Sequence, residues 1–260
     1  PRMIDYAGFR SICDEVGAYF WVDCAHDIGL IAGGAIPSPV PYADVVTFST
    51  QKTLRGPRGC GVILCKEALG KKIDRGVFPR IQGGPKGDML AARGVLFLEL
   101  MQPEFRTYAH QVVKNAKALA KGCADEGMRL ITGGTDTHMV MLDVTPVIAN
   151  GQLAETLLAS VGIITNKNMI PYDTLPPSLG SGLRIGSPTM TTRGAKEEEM
   201  YEIGRLLGKV LKNKDNEEVL EQVKQEVRQL AVSHPMFSSE WMPEKIRAQF
   251  DAMYCHETFE

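Results

Sequence analysis

The chain's 260 residues carry 29 Lys and Arg against 31 Asp and Glu, a net charge of −2, and 44% of them are hydrophobic. That balance suits a soluble globular protein of one or two domains and excludes a dedicated nucleic-acid surface, which needs a basic excess. No apolar run approaches the roughly 20 residues a helix needs to cross a bilayer, and the start does not read as a signal peptide.

Six cysteines without a CxxC pair or a zinc-finger histidine spacing point to a reducing cytosol.

The first third alternates short elements. Phe9, Ile12, Cys13 and Val16 recur at helical spacing, which predicts a helix over 6–16. Residues 18–22 read as a buried strand, and 44–48 and 60–65 as two more. Cys60 and Cys65 in the last of these are expected to be buried free thiols. Alternation of this kind implies an α/β sheet layer, whose ligand chemistry sits beyond the carboxyl ends of the strands.

From Met89 to about Glu126 the pattern is long and helical, and Pro103 splits it into two helices because proline cannot continue the hydrogen-bond ladder. Beyond it lies a mixed α/β pattern. Strands are expected over 129–132, 138–143, 163–166 and 183–186, with a helix over 152–161. Thr192 is expected to cap a helix that opens on Glu197, Glu198 and Glu199, acids that favour a helix N-terminus. A second amphipathic helix is expected over 214–232. The implied domains are 1–102 and a smaller 103–260 with a terminal extension.

The chemistry gathers at two strand ends. Lys52 follows a β-branched run and precedes the turn Gly56-Pro57-Arg58-Gly59, so its amine is held by rigid turn chemistry. Upstream, a second strand ends on Asp23 and His26. The trio suits a pyridoxal phosphate enzyme, in which the lysine forms a Schiff base and the Asp keeps the ring nitrogen protonated. Taken singly the residues say less: Asp23 alone would serve as a helix N-cap, and His26 alone as a core histidine. Arg55 and Arg58 lie three and six residues beyond the lysine and would lower its pKa, which makes a better nucleophile.

Together these residues carry a family likeness. Val22-Asp23-Cys24-Ala25-His26, Lys52-Thr53-Leu54-Arg55-Gly56-Pro57-Arg58-Gly59, Gln82-Gly83-Gly84-Pro85, Asn166-Lys167-Asn168 and Gly182-Leu183-Arg184-Ile185-Gly186 stand in the order they take in serine hydroxymethyltransferases, and the chain resembles that family from residue 1 to about 230. The resemblance implies an aspartate-aminotransferase-like (type I) pyridoxal phosphate fold, here an incomplete large domain plus a smaller C-terminal α/β domain. It implies transfer of the serine hydroxymethyl carbon to tetrahydrofolate, leaving glycine, in a homodimer or tetramer with shared active sites, in the cytoplasm. Rival readings are a threonine-aldolase-like or transaminating enzyme of the same fold, or a non-catalytic assembly partner.

Roles follow from the same resemblance. Lys52 carries the cofactor, Asp23 pairs with the pyridine nitrogen, and His26 lies near the phenolic oxygen. Ser49 matches a threonine that donates a hydrogen bond near the cofactor, and Gly83 and Gly84 reach the phosphate of a neighbouring subunit. Arg184 grips the substrate carboxylate in a bidentate fork, and Asn168 matches a position near the pterin ring. The family's phosphate cup, stacking ring and glutamate base would come from a preceding N-terminal portion that this chain lacks. Departures are Gln51 and Asp88 where the family has histidines, and Cys60 and Arg80 where it has glycines.

Overall fold

The computed structural model describes residues 1–236, 244 and 246–249. They form a mixed α/β structure with one three-stranded and one four-stranded sheet. Among them no helix is long and apolar enough to cross a membrane.

Helix α1 (Tyr6–Glu15) starts where the Asp5 carboxylate accepts a hydrogen bond from the Gly8 N–H, which satisfies one of the orphan donors of the first turn. Strand β1 (Trp21–Asp23) runs parallel to β2 (Val45–Ser49), and β2 runs antiparallel to β3 (Gly61–Cys65). Because side chains alternate across a sheet, Val22 and Val46 turn into the first hydrophobic core while Asp23 and its partner Thr47 take the opposite face. The first strand thus begins later than expected and takes in Asp23 itself. Cys60 is buried as expected, but Cys65 is exposed at the end of the edge strand β3. Cys255 lies outside the described residues.

Short helix α2 (Ile28–Ala32) follows β1 and has no separate sign in the hydrophobic periodicity. Helix α3 (Glu67–Arg75) leads into a kinked segment over Gly76–Ile81, where Phe78 is extended (φ −131°, ψ 130°). The split at Pro103 is as expected: α4 (Gly87–Leu100) ends before it, and Pro103 is the first residue of α5 (Pro103–Asp125), where its missing N–H is no loss.

Helix α5 serves two cores. Phe105, Tyr108, Ala109 and Val112 belong to the first, and Leu119, Ala120 and Cys123 to the second. Full burial of each such large side chain contributes about 1.5–3 kcal/mol. Its C-terminal half packs on α8 (Glu197–Lys212) at a backbone crossing that only glycine permits. A Cβ on Gly122 would lie 2.1 Å from the Tyr201 carbonyl oxygen, and one on Gly204 would lie 2.5 Å from that of Leu119.

The second sheet has the order β4 (Arg129–Leu130), β5 (Met139–Asp143), β7 (Gly182–Gly186), β6 (Asn166–Asn168), with every pairing antiparallel. Val140, Leu142 and Leu183 face the second core; Met141, Arg184, Asn166 and Asn168 share the other face. Strand β6 starts at the residue where the expected strand ended, because Ile163 packs against the core as part of the turn that leaves α6 (Gly151–Ser160).

Thr192 does not cap α8. It ends the short helix α7 (Pro188–Thr192), and the α8 cap is made by Lys196, whose N–H donates to Glu199 at 2.8 Å. The last expected helix is α9 (Glu217–Ser233), capped by Asn216.

Candidate functional site

Three loops converge at the carboxyl end of the first sheet. Lys52 lies three residues beyond β2 on an exposed turn, and its carbonyl accepts from the Arg55 N–H at 2.9 Å. The turn is closed from inside: the Gly56 N–H donates to the Thr50 carbonyl at 2.8 Å, and the Thr50 hydroxyl donates to the Pro57 carbonyl at 2.7 Å. Arg55 takes a positive φ of 64°, uncommon for a side-chain-bearing residue. The reason lies across the turn, where its guanidinium sits over the Tyr108 ring, 4.1 Å from the centroid. Such cation–π contacts are worth about 0.5–2 kcal/mol. Arg55 therefore ties the lysine turn to α5, a role the spacing alone did not reveal.

Thr53 joins the lysine turn to the histidine loop. Its hydroxyl donates to the His26 carbonyl at 2.7 Å and accepts from the Gly29 N–H at 2.9 Å. The two loops touch so closely that a Cβ on Gly29 would lie 2.2 Å from the Thr53 carbonyl oxygen. One buried threonine thus fixes the spacing between Lys52 and His26.

Asp23 is exposed at the end of β1, with one carboxylate oxygen accepting from the Ala25 N–H at 3.0 Å. It is not the N-cap of α2; that position is held by Asp27, which makes no side-chain capping bond.

His26 is half-buried, and its imidazole stacks on that of His138 with centroids 5.9 Å apart and planes within 9°. Its pKa is pushed below the ordinary 6.5, first by burial and then by the charges of Lys52, His138 and Arg184, against a smaller opposing pull from Asp27. Burial disfavours the cation and the neighbouring positive groups add to that. The His138 stack brings the second sheet up to the loop that carries His26.

Arg184 is half-buried on β7, between Met141 of β5 and Asn166 of β6. Asn168 lies two residues along the same strand face, and its side-chain amide donates to the Met169 carbonyl at 2.6 Å.

Gly83 and Gly84 lie on the loop before α4. Both are exposed with open space around their Cα positions. The flanking Gln82 and Pro85 line a different cleft of about 410 Å³ with Gly61, Ile63 and Arg93.

Two buried polar atoms flank the lysine without a hydrogen-bond partner, Ser49 Oγ and Gln51 Oε1. Unpaired buried groups are uncommon and costly, so a polar group seated beside Lys52 is what these residues fit. A pyridoxal group offers such atoms next to the amine it binds.

A family model described as "Serine hydroxymethyltransferase" matches residues 1–207. A curated relative named "Serine hydroxymethyltransferase", from Coprothermobacter proteolyticus, is 52% identical over 237 residues, covering 91% of this chain and 57% of the relative. The chain belongs to the serine hydroxymethyltransferase family. It spans 57% of the length of the curated serine hydroxymethyltransferase it matches.

Against the serine hydroxymethyltransferase pattern, the replacements fall in two kinds of place. Gln51 is half-buried beside the lysine, and Cys60 is buried under the turn. Arg80 and Asp88 are exposed on either side of the Gly83-Gly84 loop. Two further residues escaped the motif reading, Asp27 and His138. The available signal was a histidine directly before the alternating strand 139–143, together with an acid directly after His26.

Proposed function

We propose that the protein carrying this chain is a pyridoxal-phosphate-dependent glycine hydroxymethyltransferase that interconverts serine and glycine and exchanges the one-carbon unit with tetrahydrofolate. The observation that carries the reading is the Thr53 bridge that sets the Lys52 turn against the His26 loop, with Asp23 at the adjacent strand end and His138 of the second sheet stacked on His26. Family membership supports it.

On this reading Lys52 Nζ holds the cofactor, and Asp23 keeps a proton on the pyridine nitrogen. When bound, pyridoxal phosphate supplies an electron sink for the bond broken at the substrate α-carbon. His26, kept neutral by burial and by the cations around it, hydrogen-bonds the phenolic oxygen without adding charge. The Ser49 hydroxyl gives its unused hydrogen bond beside the lysine. Arg184 binds the amino-acid carboxylate, because a planar guanidinium matches both oxygens at once. That grip sets which α-carbon bond stands over the ring. Asn168, on the same sheet face, meets the folate.

Gly83 and Gly84, exposed with open space around them, serve the phosphate of a neighbouring subunit in a homodimer or tetramer. The fold is the type I pyridoxal phosphate fold, with 1–102 as part of the large domain and 103–260 as the small one. The protein works in the cytoplasm.

The test is serine-dependent formation of glycine with tetrahydrofolate as acceptor, on purified protein loaded with the cofactor. Activity that requires both Lys52 and tetrahydrofolate is the expected result. Protein that binds the cofactor on Lys52 yet transfers no carbon from serine to folate would reject the reaction assigned.

A further inference from the structure

Asp27 stands next to the first sheet and His138 next to the second, and their side chains meet beside His26. Asp27 follows β1 at the start of α2, its N–H donating to the Cys24 carbonyl at 2.9 Å. His138 directly precedes β5, is 8% exposed, and its carbonyl accepts from the Ser187 N–H at 3.1 Å. Backbone bonds therefore hold both residues in place before their side chains meet. His138 Nδ1 and Asp27 Oδ1 approach to 3.4 Å, within ion-pair distance. Both atoms are buried and neither makes a hydrogen bond, so the contact between them is electrostatic. The Asp27 side chain is 31% exposed and that of His138 10%, and it is the covered oxygen of the acid that faces the imidazole, where an unpaired polar atom costs free energy.

The His138 ring also lies almost parallel to that of His26, at 5.9 Å. Its strand matters too, because β5 pairs residue for residue with β7, placing Met141 opposite Arg184. One strand of the second sheet thus carries the ring that stacks on His26 and the register that places Arg184.

We propose that Asp27 and His138 form a clasp between the two sheets that sets the plane and the electrostatic surroundings of the His26 ring. His138 and Asp27 are positioning residues. Neither needs to touch substrate or cofactor, and both act through His26. The assignment rests on the reading above for what His26 does in catalysis, but the clasp itself is testable without cofactor or substrate.

The groups that face His26 are Lys52 from the lysine turn, Arg184 from β7, His138 from before β5, and Asp27 from its own loop. The cations disfavour protonated His26 and Asp27 favours it, so the two halves of the clasp pull in opposite directions. A residue that merely filled space would not produce this pair of signs.

The experiment is a titration of the 260-residue chain labelled with [13Cε1]histidine, without cofactor, following the five histidines by NMR and assigning His26 by its loss in His26→Gln. His138→Phe keeps a flat ring on the stack and removes the imidazole nitrogens, so the His26 midpoint should rise. Asp27→Asn removes the anion, so the midpoint should fall; Asp27→Glu, which restores the charge, should return it towards wild type. If His138→Phe does not fold, His138→Gln takes its place with the same expected sign. Shifts of opposite sign with rescue by Glu support the clasp. Shifts of the same sign, a response to only one substitution, or no response overturns it. Because no catalysis is measured, failure here leaves the proposed reaction standing, and loss of the reaction would leave the clasp standing.

Discussion

Thr53→Val is the sharpest test of how the two functional loops are joined. The substitution keeps the shape of a side chain that is 2% exposed but deletes a hydroxyl that donates to the His26 carbonyl and accepts from the Gly29 N–H. Orphaning one buried polar group costs about 1–3 kcal/mol. Gly29 is buried and His26 half-buried, so the sum falls at about 2–4 kcal/mol, a large share of the roughly 5–15 kcal/mol that holds a domain folded. Thr53→Ser keeps both bonds and loses one methyl, which costs about 1 kcal/mol. Urea unfolding, with unchanged m-values as the sign that the two-state comparison is fair, separates the two variants. The reasoning fails if Thr53→Val lies within about 0.5 kcal/mol of wild type, the range of neutral surface changes, or if the serine variant is as unstable as the valine one.

Other consequences follow from charge. Asp44 accepts from the Phe20 N–H and pairs with Lys66 and Arg10, and these contacts, Lys66 first, hold its carboxyl well below the usual 3.8. A lowered folded-state pKa gives stability that is present above 3.8 and lost as pH falls through the folded value. Asp44→Asn should therefore cost about 2–3 kcal/mol at neutral pH, the worth of charge-assisted bonds to a buried carboxylate, with the gap to wild type narrowing in acid; a gap that stays constant in denaturation curves down to low pH would refute it. His26 is also lowered, by burial first, so its contribution is full above 6.5 and lost as pH falls through its folded value. In His26→Gln, stability measured between pH 7 and 5 should decline less than in wild type, and an equal decline would show that burial does not govern this imidazole. Arg184→Lys should weaken serine or glycine binding by about 2–5 kcal/mol, roughly 30-fold to several-thousand-fold, with the spectrum of bound cofactor unchanged. Binding within about threefold of wild type, under 1 kcal/mol, would assign the carboxylate to another group.

Much of the fold was legible because its signals are local. Helical spacing marked α1, and proline marked the break before α5, where the chain obeys both. The strand end at Asp23 and the turn that carries Lys52 were readable because turn residues follow them. The misses share a cause, which is that tertiary contact overrode local pattern. Thr192 looked like a cap, but its hydroxyl pairs with the Tyr108 hydroxyl while Lys196 and Glu199 cap the helix. Arg55 looked like a neighbour for the lysine amine, yet the aromatic pair on α5 claims it. His138 was invisible beside His26 because only the docking of the second sheet brings the rings together. Cys65 read as buried because it ends an apolar run, but it lies on an edge strand.

The central claim is that Lys52 is the residue that carries the cofactor, and chemistry can ask this directly. Pyridoxal phosphate is added to the protein, the product is reduced with borohydride, and the digested peptides are mapped by mass spectrometry. The account predicts a pyridoxyl group on Lys52, absent in Lys52→Arg. A pyridoxyl group on another lysine, with Lys52 unmodified, would contradict it.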